Sequence, residues 1–125
     1  MNNNSFYIDL WLKICCIAIS LIVLVGGITR LTQSGLSMVD WKPITGILPP
    51  LNDSQWNEEF EKYKLFPEYE KINSFMTLSE YKKIFFWEYL HRILGRIIGL
   101  LFIIPPIFFY FKNQINKSLM RKAVF

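Results

Sequence analysis

Histidine is nearly absent from this 125-residue chain, which holds one, His91, and cysteine is limited to Cys15 and Cys16. The two cysteines are adjacent inside an apolar run, where they read as small buried hydrophobes. With no CxxC and no Cys/His spacing, neither a disulfide framework nor a Cys/His metal cluster is encoded. Glycine and proline are also sparse at six each, while 52% of residues are hydrophobic, which excludes disordered and collagen-like classes. The net charge of +4 does not mark a nucleic-acid binder, because no basic face is interleaved with aromatics. Membrane topology accounts better for the Lys and Arg.

What the chain does have is two apolar blocks. The first spans residues 10–29, and no charge falls between Lys13 and Arg30. That is roughly the 20 residues a helix needs to cross a bilayer. No basic region precedes it, and Gly26-Gly27-Ile28-Thr29-Arg30 is a poor cleavage site, so a retained helix is expected instead of a signal peptide. The second block is expected over residues 84–111. Its uncharged part, Ile97 to Phe111, is only 15 residues, so a full crossing must take in Glu88, His91, Arg92 and Arg96. Pro105-Pro106 should disturb this helix, which is tolerable where neighbours cover the freed carbonyls.

The segment 112–125 carries Lys112, Lys117, Arg121 and Lys122 and no acid, whereas the loop 30–83 has seven basic and eight acidic side chains. The positive-inside rule therefore puts residues 1–9 and 112–125 in the cytoplasm and the loop of about 50 residues outside. Turn formers fill the loop's first half, Leu31 to Leu51. In the second half Trp56, Phe60 and Tyr63 recur at i, i+4 and i+7, which predicts a short amphipathic helix resting near the membrane surface. Thr77-Leu78-Ser79-Glu80 looks like a helix start, with Ser79 as a candidate cap.

Ionisable groups inside a span cost roughly 2.5 kcal/mol or more each, so they point to function. Glu88 and His91 are three residues apart, Glu88 and Arg92 four, and Arg92 and Arg96 four, so successive pairs can share a helix face. Bland accounts exist for each. A Glu88–Arg92 pair can neutralise itself, a histidine can bond a neighbouring carbonyl, and arginines can snorkel. The functional account is haem: imidazole ligates iron, guanidinium suits propionates, and a nearby carboxylate can handle protons or stabilise positive charge. Gly95 and Gly99 form a small-xxx-small pair that admits a close helix or a flat macrocycle.

The run from Gly26 to Met38 (GGITRLTQSGLSM), then Trp41-Lys42-Pro43-Ile44-Thr45-Gly46 and Pro49-Pro50, resembles the first helix end and first outer loop of haem A synthases. Glu88-Tyr89-Leu90-His91-Arg92, followed by Gly95-Arg96, resembles that family's second helix. The likeness runs from about Leu10 to Phe111. It implies an all-α integral membrane protein of eight helices in two four-helix bundles, with this chain as the first two helices and the beginning of a third. It implies residence in the bacterial inner membrane, among lipid, and oxidation of a ring methyl of haem O to a formyl group for cytochrome oxidase. His91 would ligate the iron of the substrate haem O, Glu88 would serve the chemistry, and Arg92 and Arg96 would hold the cofactor.

Haem b would be the resident cofactor. The first outer loop has no cysteine, which places the chain with the cysteine-free branch and leaves thiol-linked electron delivery in doubt. Only about a third of the family's length is expected here, so the partner histidine and the haem b bundle are missing and the fragment alone should be inactive. A homo-oligomer and the haem O synthase are candidate partners. The alternative is a two-span haem-binding or oxidase-assembly subunit without catalysis.

Overall fold

The computed structural model describes Asn3 to Val124, and regular structure among these residues is entirely helical. Met1, Asn2 and Phe125, the outermost residues of the expected segments 1–9 and 112–125, lie outside the described residues. The helices are α1 (Asn3–Leu31), α2 (Asp53–Lys64), α3 (Pro67–Lys71), α4 (Leu78–Phe111) and α5 (Lys117–Val124). A 3₁₀ turn, Thr45–Ile47, lies between α1 and α2.

Both apolar blocks fold as long helices, α1 of 29 residues and α4 of 34, each long and apolar enough to cross a membrane. Much of their apolar side-chain surface is exposed, including Ile17, Leu100 and Ile104. Apolar surface of that extent is covered by lipid or further helices, not left to water. α4 begins at Leu78, six residues before the expected span. Its cap is Thr77, not Ser79: Thr77 Oγ1 accepts from the Glu80 amide at 3.3 Å, and Glu80 Oε2 accepts from the Thr77 amide at 2.9 Å. A capping box needs its hydroxyl three residues before the carboxylate, a spacing Thr77 meets and Ser79 does not.

The two long helices end in the same way. Gln33 and Asn113 are left-handed, with φ of 54° and 53°. Behind them, Ser34 N–H bonds the Thr29 carbonyl and Gln114 N–H the Phe109 carbonyl, both at 2.9 Å. These are Schellman closures, which satisfy carbonyls that the helix end would otherwise orphan.

The chain divides into two compact units, one being Val23–Ile93 and the other the stretches before and after it. In the flanking unit, α4 continues through Pro105 and Pro106. Proline has no N–H, so Pro105 leaves the Leu101 carbonyl, four residues earlier, without its helical donor. Trp11 of α1 replaces that donor, its Nε1–H reaching the Leu101 oxygen at 2.9 Å while its ring meets Phe102 and Phe109 edge-on.

In the Val23–Ile93 unit the segment between α1 and α4 is folded. Asn52 caps α2 by accepting from the Gln55 amide at 2.9 Å, and the expected helix forms there. Its aromatic face is spent inside the protein, on the start of α4, and not on a lipid surface. Tyr81, fully buried, stacks on Phe60 and Tyr63 with ring centroids 5.0 and 5.1 Å apart. Trp56 meets Phe85 edge-on at 5.0 Å. Rings in such arrangements add about 0.5–1.5 kcal/mol per pair to the burial itself.

Replacing Trp11 by Phe keeps most of the ring packing but removes the donor, leaving the Leu101 carbonyl unbonded in an apolar setting. The expected loss is about 1–3 kcal/mol, read as a lower unfolding midpoint in detergent. Trp11→Phe with an unchanged midpoint would mean that the carbonyl is satisfied some other way.

Candidate functional site

Glu88 is the buried acid of α4, 4% exposed. One turn on, Arg92 Nη2 meets its Oε1 at 2.6 Å, the i, i+4 pair expected from the sequence. The other carboxylate oxygen looks away from α4. Its Oε2 accepts from the Ser37 hydroxyl and from the Met38 amide, both at 2.7 Å. Three charge-assisted hydrogen bonds thus offset the desolvation of this acid.

The segment that supplies two of those donors is shaped by the end of α1. After left-handed Gln33 the chain reverses, and Ser37 N–H returns to the Ser34 carbonyl at 3.2 Å. Ser34 and Ser37 are both fully buried. From the opposite side, the Tyr81 hydroxyl donates to the Ser37 carbonyl at 2.8 Å. Arg92 completes the grip, with Nη1 to the Asp40 carbonyl and Nη2 to the Met38 carbonyl, each 3.4 Å. The ion pair therefore holds both donors and acceptors of the 37–40 segment.

His91 is half-buried on the same helix. A Cβ added to Gly26 of α1 would lie 3.2 Å from its Nε2 and 3.4 Å from its Cδ2, so the imidazole rests against glycine backbone. Among the described residues His91 makes no hydrogen bond to a neighbouring carbonyl, the bland role the sequence left open. Nearby, the Thr29 hydroxyl bonds the Val25 carbonyl at 2.8 Å and the Trp87 carbonyl at 3.3 Å, tying α1 to α4.

Of the four residues singled out from sequence, Glu88, His91 and Arg92 fall in the Val23–Ile93 unit and Arg96 in the other. Arg96 is half-buried. Gly95 makes an ordinary contact, 3.8 Å to Ile22 Cδ1, and Gly99 faces open space. The close approach expected of that pair is found instead at Gly26. Sequence reading missed Gly26, Ser37 and the Met38 amide. A signal existed for the first, since a glycine within a helix costs about 1 kcal/mol relative to alanine and calls for a reason.

Beside this centre α2 carries a cluster of charged side chains. Lys62 of α2 reaches Asp40 at 3.2 Å, Glu58 at 3.2 Å and Glu59 at 3.5 Å. The Lys62 hydrogen bond holds the Asp40 carboxyl below its ordinary range, and Asp40 in turn raises the Lys62 ammonium. Glu68 behaves oppositely: burial first, then the charge of Glu88, pushes its carboxyl above the usual value. A cavity of about 310 Å³ lies beside the Asp40–Lys62 tie, with Thr45, Pro49 and Gln55 in its wall.

Residues 9–125 match the model of a family described as cytochrome oxidase assembly protein. Among curated proteins, the chain is 56% identical over 125 residues to a heme A synthase of Flavobacterium psychrophilum, covering 98% of this chain and 37% of that protein. It is 57% identical over 106 residues to a heme A synthase of Rickettsia bellii, covering 85% and 32%. A heme A synthase of Nitrosomonas eutropha is 49% identical over 121 residues, covering 97% and 34%. The chain thus spans about a third of the length of the curated relatives it matches. No solved structure matches it significantly.

Two substitutions test the geometry without any ligand. Arg92→Leu removes the counter-ion of a buried carboxylate and two grips on the 37–40 segment, so a loss of about 3 kcal/mol is expected, measured by unfolding in detergent. Gly26→Ala should push the His91 ring aside and shift its imidazole NMR signals. Gly27→Ala, where a Cβ meets nothing within 4 Å, should leave them in place.

Proposed function

Because the chain belongs to the cytochrome oxidase assembly family, we propose that it is the N-terminal part of a haem A synthase, an enzyme that oxidises a ring methyl of haem O to a formyl group. The relatives' names support the reaction class. The observation that carries the assignment to a site is His91: a half-buried imidazole on an apolar helix, seated against glycine and with no hydrogen bond among the described residues. A half-buried imidazole that spends neither nitrogen on a described residue can turn one to a metal without first giving up a partner.

The residues present fit a haem. His91 would take one axial position on the iron of haem O, and a flat macrocycle is compatible with a neighbouring backbone that lacks a Cβ at Gly26. As the sole histidine of the chain, His91 leaves the second axial ligand to another chain or to the rest of the family's length. When bound, the haem iron supplies the redox chemistry at the ring methyl.

The chain's own residues do the rest. Glu88 holds a fixed negative charge one helical turn from His91, oriented by Ser37, Met38 and Arg92 before any ligand arrives. Such a charge stabilises positive charge developing nearby or receives a proton leaving the site. Arg92 uses three of the five guanidinium N–H donors on Glu88, Met38 and Asp40, which leaves two for a propionate. Arg96 would hold a second propionate, and haem b would bind elsewhere in the complete enzyme. The basic segment after α4 and the charge-balanced loop support cytoplasmic ends and an outer loop. The resemblance to haem A synthases suggests residence in the bacterial inner membrane and a full enzyme of eight helices in two four-helix bundles.

The test is to follow bound haem and haem A together in membranes carrying the complete protein of which this chain is one part. His91→Ala should lose most of the Soret absorbance of the purified protein and all detectable haem A. Glu88→Gln should keep the bound haem and lose conversion by at least tenfold, as expected for a charge acting on the reaction. Normal haem A production by His91→Ala would remove the assignment. Haem bound by the parent protein without any formyl product would favour a binding subunit over an enzyme.

A further inference from the structure

Resting on the haem reading above, we infer that Ser37 is a positioning residue for the reaction: its hydroxyl fixes the orientation of the Glu88 carboxylate.

A carboxylate two methylenes from the backbone turns freely unless both oxygens are held. Arg92 holds Oε1, but the Arg92 side chain is long, 22% exposed, and its remaining contacts are 3.4 Å. Orientation must therefore come from Oε2, where Ser37 and the Met38 amide donate at 2.7 Å. The amide is a fixed direction. Ser37 is built to be equally well placed. It is fully buried, its N–H is bonded to the Ser34 carbonyl, and its carbonyl is bonded by the Tyr81 hydroxyl. Only its O–H rotor is left to turn.

That rotor has one proton and three acceptors within reach: Glu88 Oε2 at 2.7 Å, the Ser34 carbonyl at 2.8 Å and the Ile84 carbonyl at 3.3 Å. An anionic oxygen outcompetes a carbonyl, because charge-assisted hydrogen bonds are roughly twice as strong as neutral ones. While Glu88 is charged, the hydroxyl points at it. Whenever that charge is neutralised during the reaction, the same hydroxyl can turn to the Ser34 carbonyl and no backbone need move. The segment thus offers Glu88 one rigid donor and one that follows its charge. A packing serine would need neither the close Oε2 contact nor the pinned backbone on both sides.

Ser37→Ala, made in the complete membrane-bound protein, is read in two ways: conversion of haem O to haem A per bound haem, and the infrared carboxylate bands of Glu88, identified as those lost in Glu88→Gln. The expected result is bound haem within about twofold of the parent, conversion lowered about 10- to 100-fold, and shifted Glu88 bands. Unmoved bands would overturn the proposal, as would shifted bands with parental conversion. If Ser37→Ala loses its haem, Ser37→Cys, which keeps the volume and weakens the donor, is judged by the same two measurements. A complete parent protein that makes no haem A would sink the functional reading and this inference together. A parent that does, with an equally active Ser37→Ala, would sink this inference alone.

Discussion

Burying a carboxylate is costly unless its oxygens find donors, and at Glu88 the Val23–Ile93 unit supplies donors to both. The acid draws the reversed chain after α1 onto α4 through Ser37 and Met38, and it draws Arg92 back along its own helix. Arg92 then closes on the carbonyls of Met38 and Asp40, so the same segment is held by its donors and its acceptors. Asp40, placed by that grip, presents its side chain to Lys62 of α2. From one acid the ties run outward to the folded loop. The desolvation penalty of a carboxylate amounts to several kcal/mol, which makes an alternative arrangement of the segment that left Oε2 bare unfavourable.

The aromatic cluster serves the same end from the apolar side. Tyr81 is stacked between the rings of α2 and donates its hydroxyl to the Ser37 carbonyl. Packing of the loop and placement of the Glu88 donors are therefore not separable: loosening the rings frees the segment that holds the acid. The flanking unit shows the same rule in a simpler case. Pro105 orphans one carbonyl, and the Trp11 indole answers it. Beside these answered groups, the His91 imidazole stands out within its cluster because none of the described residues bonds it.

What the sequence made legible follows from periods and from cost. Two long uncharged runs impose helices whatever else happens, and charged residues at three- and four-residue spacing must share a face. The i, i+4 aromatic pattern gave α2 correctly. Misplacing its apolar face came from treating the loop as isolated, because nothing in a local window says that Tyr81 and Phe85 will be presented to it. Ser37 was invisible for a related reason. Serine in a turn-rich stretch has many local uses, and only the tertiary fold shows a carboxylate from 51 residues away within reach of its hydroxyl. Ser79 and Thr77 were separable in principle, since the capping-box spacing already favours the residue three before Glu80.

The division of labour between Glu88 and His91 follows from how differently they are held. Glu88 is fixed by donors that belong to the chain, so its position and charge are set before any ligand is present. A group prepared in this way does not have to reorganise as charge develops beside it, which is the condition under which an electrostatic contribution to a reaction is largest. His91 rests on a glycine beneath the ring and, among the described residues, has no hydrogen bond to break on binding. A ligand to iron profits from that freedom, while a charge-stabilising acid would be weakened by it. Exchanging the two environments would satisfy neither group: an unbonded Glu88 would leave a buried carboxylate without donors, and a fully bonded His91 would have to give up its partners before it could reach a metal.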